Sequence, residues 1–213
     1  MSRTRIRYFV VDAFTDRPFG GNPAAVVPLE EWKDDSWLQD VAMEMNLSET
    51  AFLVPNQQGY DLRWFTPRVE VDLCGHATIA SALVLVHLGE MDDGGDVAFS
   101  TRSGVLNASR EGSRIQLDFP ILTEEATEPP TGLLTSLNVT ARHVGRSKFD
   151  FLIEVESEGV LRGLVPDFKG LAAVECRGVI VTARSDDPQF DFVSRFFAPA
   201  SGVDEDPVTG SAH

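Results

Sequence analysis

The chain has 213 residues, 43% of them apolar and 24% charged. That ordinary globular balance excludes a disordered, collagen-like or coiled-coil protein. Asp and Glu outnumber Lys and Arg by 33 to 18, for a net charge of −15; a field of that sign repels phosphate backbones and anionic bilayers, so neither nucleic acid nor membrane is an expected partner.

At roughly 100–200 residues per domain, the length admits one large domain or two small ones. The basic stretch Met1–Arg7 runs straight into Tyr8-Phe9-Val10-Val11 without the apolar core or small-residue cleavage site of a signal peptide. No apolar run approaches the ~20 residues of a membrane helix. Two cysteines, Cys74 and Cys176, make no disulfide framework, and a cytoplasmic protein is the expectation.

In chain order, the β-branched and aromatic stretch 5–13 predicts a strand. The turn formers of 16–23 predict a loop, and 24–27 a short strand. Leu38, Val41, Ala42 and Met45 share one face of a helix that Asp35 or Ser36 can cap and that runs through Met45. Strands follow at 50–54 and 61–65. The helix expected at 76–88, closed by Gly89, is apolar nearly all round, and a helix without a polar face must be buried on all sides. Three strands come next, near 97–101, 105–109 and 115–119. The polar, Pro-ended segment 123–130 reads as a linker. Beyond it, strands are expected at 142–144, 149–155, 178–183 and 192–197, with a short helix near 166–173. The pattern is α+β.

The two halves resemble each other. Arg63-Trp64-Phe65-Thr66-Pro67 matches Arg195-Phe196-Phe197-Ala198-Pro199. Each pentad ends a strand, and each leads through an acidic segment to a small-residue cluster, Gly75-His76-Ala77-Thr78 or Gly210-Ser211-Ala212-His213. Duplication predicts a pseudo-twofold molecule, with domains at 1–122 and 123–213 and a site at the domain interface. The second half ends where its copy of the buried helix should begin, so that domain is expected to be truncated.

Several residues could carry chemistry. Glu49 stands between a helix end and an apolar strand, where desolvation suits a general acid/base; a plain loop glutamate is the bland alternative. His76 opens the buried helix, whose N-terminus is a natural anion site; it could equally be a first-turn residue bonded to backbone. Asp206, before Pro207, fits an N-cap. Cys74 is an activated thiol or a small buried hydrophobe. Zinc at Cys74, His76 and His213 lacks the usual ligand spacing. No phosphate-binding glycine loop and no nucleophile elbow occurs, and no cofactor is expected.

Taken together, Val11-Asp12-Ala13-Phe14-Thr15, Phe19-Gly20-Gly21-Asn22-Pro23-Ala24-Ala25-Val26, Asn46-Leu47-Ser48-Glu49-Thr50, Cys74-Gly75-His76-Ala77-Thr78 and the segment Asp204–His213 resemble the phenazine-biosynthesis PhzF-like family. The resemblance implies the diaminopimelate-epimerase fold, two alike domains of curved, mostly antiparallel sheet around a central helix. It also implies an isomerase that moves a proton on a small carboxylate-bearing substrate, as on a trans-2,3-dihydro-3-hydroxyanthranilate-type ring. Glu49 would carry the proton, with His76, Asp206 and Ser211 as its partners. The backbone at Gly75 and Gly210 would bind the substrate carboxylate, with Asn22 beside it. A homodimer is implied as well. Related epimerases use two facing cysteines; Cys74 matches the first, but Pro207 stands at the second. An amino-acid epimerase and a non-catalytic binding protein of the same fold are the alternatives.

Overall fold

The computed structural model describes residues 5–119 and 121–212. They fall into two units, Met1–Pro120 and Ile121–His213, each with its own sheet and core.

The first unit contains β1 (Phe9–Ala13), β2 (Asn22–Pro28), α1 (Asp35–Met45), β3 (Glu49–Asn56), β4 (Gly59–Phe65), β5 (Glu70–Val71), α2 (Gly75–Leu88), β6 (Asp96–Thr101), β7 (Gly104–Glu111) and β8 (Arg114–Asp118). Its strand order is β1-β2-β3-β4-β6-β7-β8, with β5 also on β4. Only β2–β3 and β4–β6 run parallel; α1 crosses between the first pair and α2 between the second.

Side chains on a strand alternate between faces, and β3 uses both. Ala51 and Leu53 join the α2 side of the core, with Ala24, Val26 and Trp64. Phe52 and Val54 join the α1 side, with Leu38 and Ala42. Ala77, Ala80 and Ala82 of α2 are fully buried; small side chains let the helix lie close on the sheet. The helix is not buried on every side, as its composition predicted: Leu83 stays 42% exposed and His87 faces out. The sheet curls round α2, touching it from β1, β2 and β3 and from β8 at its other edge, and leaves open the side that carries Leu83. Gly89, at φ +74°, ends the helix. Ahead of β2, Gly21 takes φ +70°, and a Cβ there would meet the Ala13 carbonyl oxygen at 2.0 Å; only glycine fits this turn.

The second unit contains β9 (Glu125–Ala126), α3 (Leu133–Leu137), β10 (His143–Arg146), β11 (Asp150–Glu154), α4 (Glu158–Arg162), α5 (Phe168–Ala172), β12 (Gly178–Arg184), β13 (Phe192–Ala198) and β14 (Val203–Asp206). The order is β14-β13-β12-β11-β10-β9, and only β11–β12 runs parallel. Leu133, Leu137, Leu161 and Leu171 from the helices pack on Phe151, Ile153, Val179, Val181 and Phe197. Ile180, Phe196 and Ala198 form a smaller cluster on the other face.

The duplication is visible in the topology. Antiparallel β1–β2, parallel β2–β3, antiparallel β3–β4 and antiparallel β4–β5 recur as β10–β11, β11–β12, β12–β13 and β13–β14. The repeated pentads end β4 and β13, and their arginines do the same work. Arg63 clamps Glu70 through two 2.7 Å hydrogen bonds with its guanidinium 5.1 Å from the Phe65 ring. Arg195 clamps Glu205 through two 2.7 Å bonds, 5.0 Å from Phe197.

Three expectations need correction. The linker at 123–130 includes β9, because Glu125 and Ala126 pair with β10. Five-residue α3 and α4 were not foreseen; one turn is too short to show a helical period. Asp206 does not cap a helix: it ends β14, opposite Phe196, and a 3-10 turn at Gly210–Ala212 follows.

Candidate active site

Three elements bring the first-unit residues together. Asn22 opens β2, Glu49 opens the parallel β3, and Ala24 is in register with Glu49. Asn22, Ala24 and Val26 share one face of β2 by alternation, and Ala24 and Val26 face α2. Glu49 shares the α2-facing side of β3 with Ala51 and Leu53. The two strands thus present Asn22 and Glu49 to the N-terminus of α2, where His76 is the second helical residue.

His76 is 4% exposed and Asn22 wholly buried. The imidazole Nε2 lies 3.2 Å from Glu49 Oε2. The opposite ring nitrogen, Nδ1, lies 3.3 Å from Asn22 Nδ2 and 3.5 Å from Cys74 Sγ. Burial pushes the His76 pKa down to about 4, because the low-dielectric surroundings penalise the cation. The ring is therefore neutral at neutral pH and has a single N–H. The Nε2 approach to Glu49 is short but poorly aligned for a hydrogen bond, a common condition of sites that tighten only around substrate.

Cys74 precedes the helix in extended geometry. Its carbonyl accepts the first helical bond, from the Thr78 amide, and a 2.6 Å bond from the Thr78 hydroxyl. The N–H groups of Gly75, His76 and Ala77 therefore form the positive end of the helix. Glu49, Cys74 and His76 each bring a potential metal donor within 4.8 Å of the others. This is not the trio read from the sequence, whose His213 lies outside the described residues. Glu49 lies nearest Nε2 and Cys74 nearest Nδ1 of one imidazole, and the three donor atoms also lie close to one another.

The other expected residues belong to the second unit. The Asp206 carboxylate accepts a hydrogen bond from the Thr209 hydroxyl. Gly210 opens the final 3-10 turn. The Ser211 hydroxyl accepts from Arg177 at 3.1 Å. Arg177 is itself held bidentately by Asp150, whose side chain is 3% exposed. Neither Arg177 nor Asp150 was singled out from the sequence: they stand 27 positions apart, and no local motif joins them. Cys176, assigned to packing, is half-buried, and burial raises its thiol pKa to about 11.

Comparison with known proteins places this geometry in a lineage. The model of the PhzC-PhzF family, phenazine biosynthesis-like proteins, matches residues 11–213. The chain belongs to this family. An uncharacterized isomerase of Halalkalibacterium halodurans is 53% identical over 208 residues, covering 96% of this chain and 78% of that protein. An uncharacterized isomerase of Pseudomonas aeruginosa is 54% identical over 206 residues, with the same coverage. A crystal structure of a PhzF-family protein from Enterococcus faecalis superposes with a TM-score of 0.85 at 41% identity, over 98% of this chain and 79% of that one. The PhzF resemblance read from the motifs and the two-domain α+β architecture are both borne out.

Proposed function

We propose that this PhzF-family chain is a cofactor-independent isomerase that moves a proton on a small carboxylate-bearing substrate. The observation that carries the reading is the Glu49 carboxylate set 3.2 Å from a buried, neutral His76 at the start of α2. A carboxylate there can take a proton from an acidic C–H and hold it as the neutral acid. It then returns the proton to a second carbon of the same delocalised anion, so nothing is gained or lost overall. The His76 N–H and the first-turn amides of α2, Gly75 included, supply donors for the negative charge that develops. Asp206, Ser211 and the backbone at Gly210 are assigned to substrate placement, on the likeness of the segment Asp204–His213 to the family motif. The names of the two bacterial relatives support isomerase chemistry.

A second reading has one observation in its favour. The buried Cys74 thiol lies 3.5 Å from His76 Nδ1, where it could act as the acid/base of an amino-acid epimerase. A Cys74→Ala variant separates the two readings: the proton shuttle of Glu49 survives it, and a thiol mechanism does not. The general test is deuterium uptake from D2O into a panel of small ring acids with an acidic C–H. Uptake at carbon supports the proposal; a panel left wholly unlabelled counts against it.

A further inference from the structure

We infer that Asn22 is a positioning residue that fixes the tautomer of His76, keeping the proton on Nε2, the nitrogen 3.2 Å from the Glu49 carboxylate. The inference deepens the proposed function and takes its catalytic meaning from it. Asn22 comes from β2, Glu49 from β3 and Cys74 from the residue before α2. Glu49 and Cys74 are the titratable groups that face the imidazole. Asp12 on the neighbouring β1 is turned to the Phe19 amide.

A neutral imidazole has one donor and one acceptor nitrogen. A lone pair on Nε2 would repel the Glu49 carboxylate oxygen 3.2 Å away, whereas an N–H there is attracted to it even off the ideal line. Nε2 therefore carries the proton and Nδ1 is the acceptor. The groups at Nδ1 must then donate to it: the Asn22 amide NH2 at 3.3 Å and the Cys74 S–H at 3.5 Å. This logic fixes the amide orientation of Asn22 from chemistry alone, without relying on which terminal atom is nitrogen.

The fold holds Asn22 for this task. Its side chain has no solvent exposure, and the glycine-only turn at Gly21 delivers it to the start of β2, paired with Ala13. With the tautomer fixed, His76 acts as an uncharged hydrogen-bond donor rather than an imidazolium. It can therefore steady the Glu49 carboxylate and a developing oxyanion without drawing the shuttled proton onto itself.

The test reads the ring directly, on the full chain labelled with 15N-histidine and with no ligand added. Long-range 1H–15N correlation near neutral pH should show His76 protonated at Nε2 and bare at Nδ1. Asn22→Asp replaces the donor by an acceptor, so Nδ1 should gain a proton and the titration midpoint should rise. Asn22→Leu removes the donor without replacing it and should give a mixture of tautomers; it decides the matter if the aspartate variant does not fold. A wild-type ring protonated at Nδ1, or variants that fold and keep a purely Nε2–H ring, would overturn the inference. Equal deuterium exchange by wild type and Glu49→Gln would defeat the proton shuttle while leaving the tautomer result standing, so the two failures are distinct.

Discussion

At the scale of single residues, His76 is where fold and chemistry meet. Its ordinary pKa is 6.5, and burial lowers it to about 4. Above pH 6.5 the folded and unfolded chains both hold the ring neutral, and the fold keeps its full stability. Between that point and about pH 4 the unfolded chain binds the proton first, so stability falls as pH falls. A shift of this size corresponds to roughly 3 kcal/mol. Urea unfolding midpoints measured across this range should decline, and His76→Gln should flatten the decline; an identical slope in the variant would contradict the buried-neutral assignment. The sequence showed His76 at a helix start and Glu49 at a strand start. What it lacked was the 3.2 Å approach between them, which depends on the parallel register of β2 with β3 and on α2 crossing that sheet. The Arg177–Asp150 pair behind Ser211 was hidden for the same reason, a contact made by topology rather than by spacing.

At the scale of elements, the duplicated arginine clamp locks a short strand onto the end of a longer one in each unit. Both clamps are bidentate and stacked on a phenylalanine, but their surroundings differ. The Glu70 side chain is 11% exposed and that of Glu205 36%. Charge-assisted bonds shielded from water contribute more than exposed ones. A double-mutant cycle on Arg63 and Glu70 should give a coupling of about 1–3 kcal/mol, and the Arg195–Glu205 cycle a smaller one. Equal couplings would mean that exposure does not set their strength. Element length also decided what could be read in advance. The helix α2, with fourteen residues and a terminal glycine, and the seven- and eight-residue strands β2, β3 and β4 carry enough period to be legible. The two-residue β5 and β9 exist only through their pairing partners, and α3 and α4 are single turns that close over a neighbouring sheet.

At the scale of the whole molecule, each unit has its own buried cluster, and the segment after residue 120 is open to solvent. Ile121 is 90% exposed, and Glu124, Glu125 and Glu128 are exposed as well. Exposed connections are cut before packed elements, so a Glu-specific protease should make its first cut within 124–128 and leave two protected fragments. A first cut between β1 and β8, or between β10 and β14, would contradict the division into two units. The repeat was legible as two pentads, and its structural counterpart is a shared strand order with a matching arginine in each copy. Family membership gives the fold its relatives, while the chemistry rests on Glu49. The most direct measurement is therefore the rate of solvent deuterium incorporation into an accepted acid by wild type and by Glu49→Gln, at matched folding. The account predicts a loss of about 10²-fold or more, the usual scale for removing a general acid/base; a variant that exchanges as fast as wild type would contradict it.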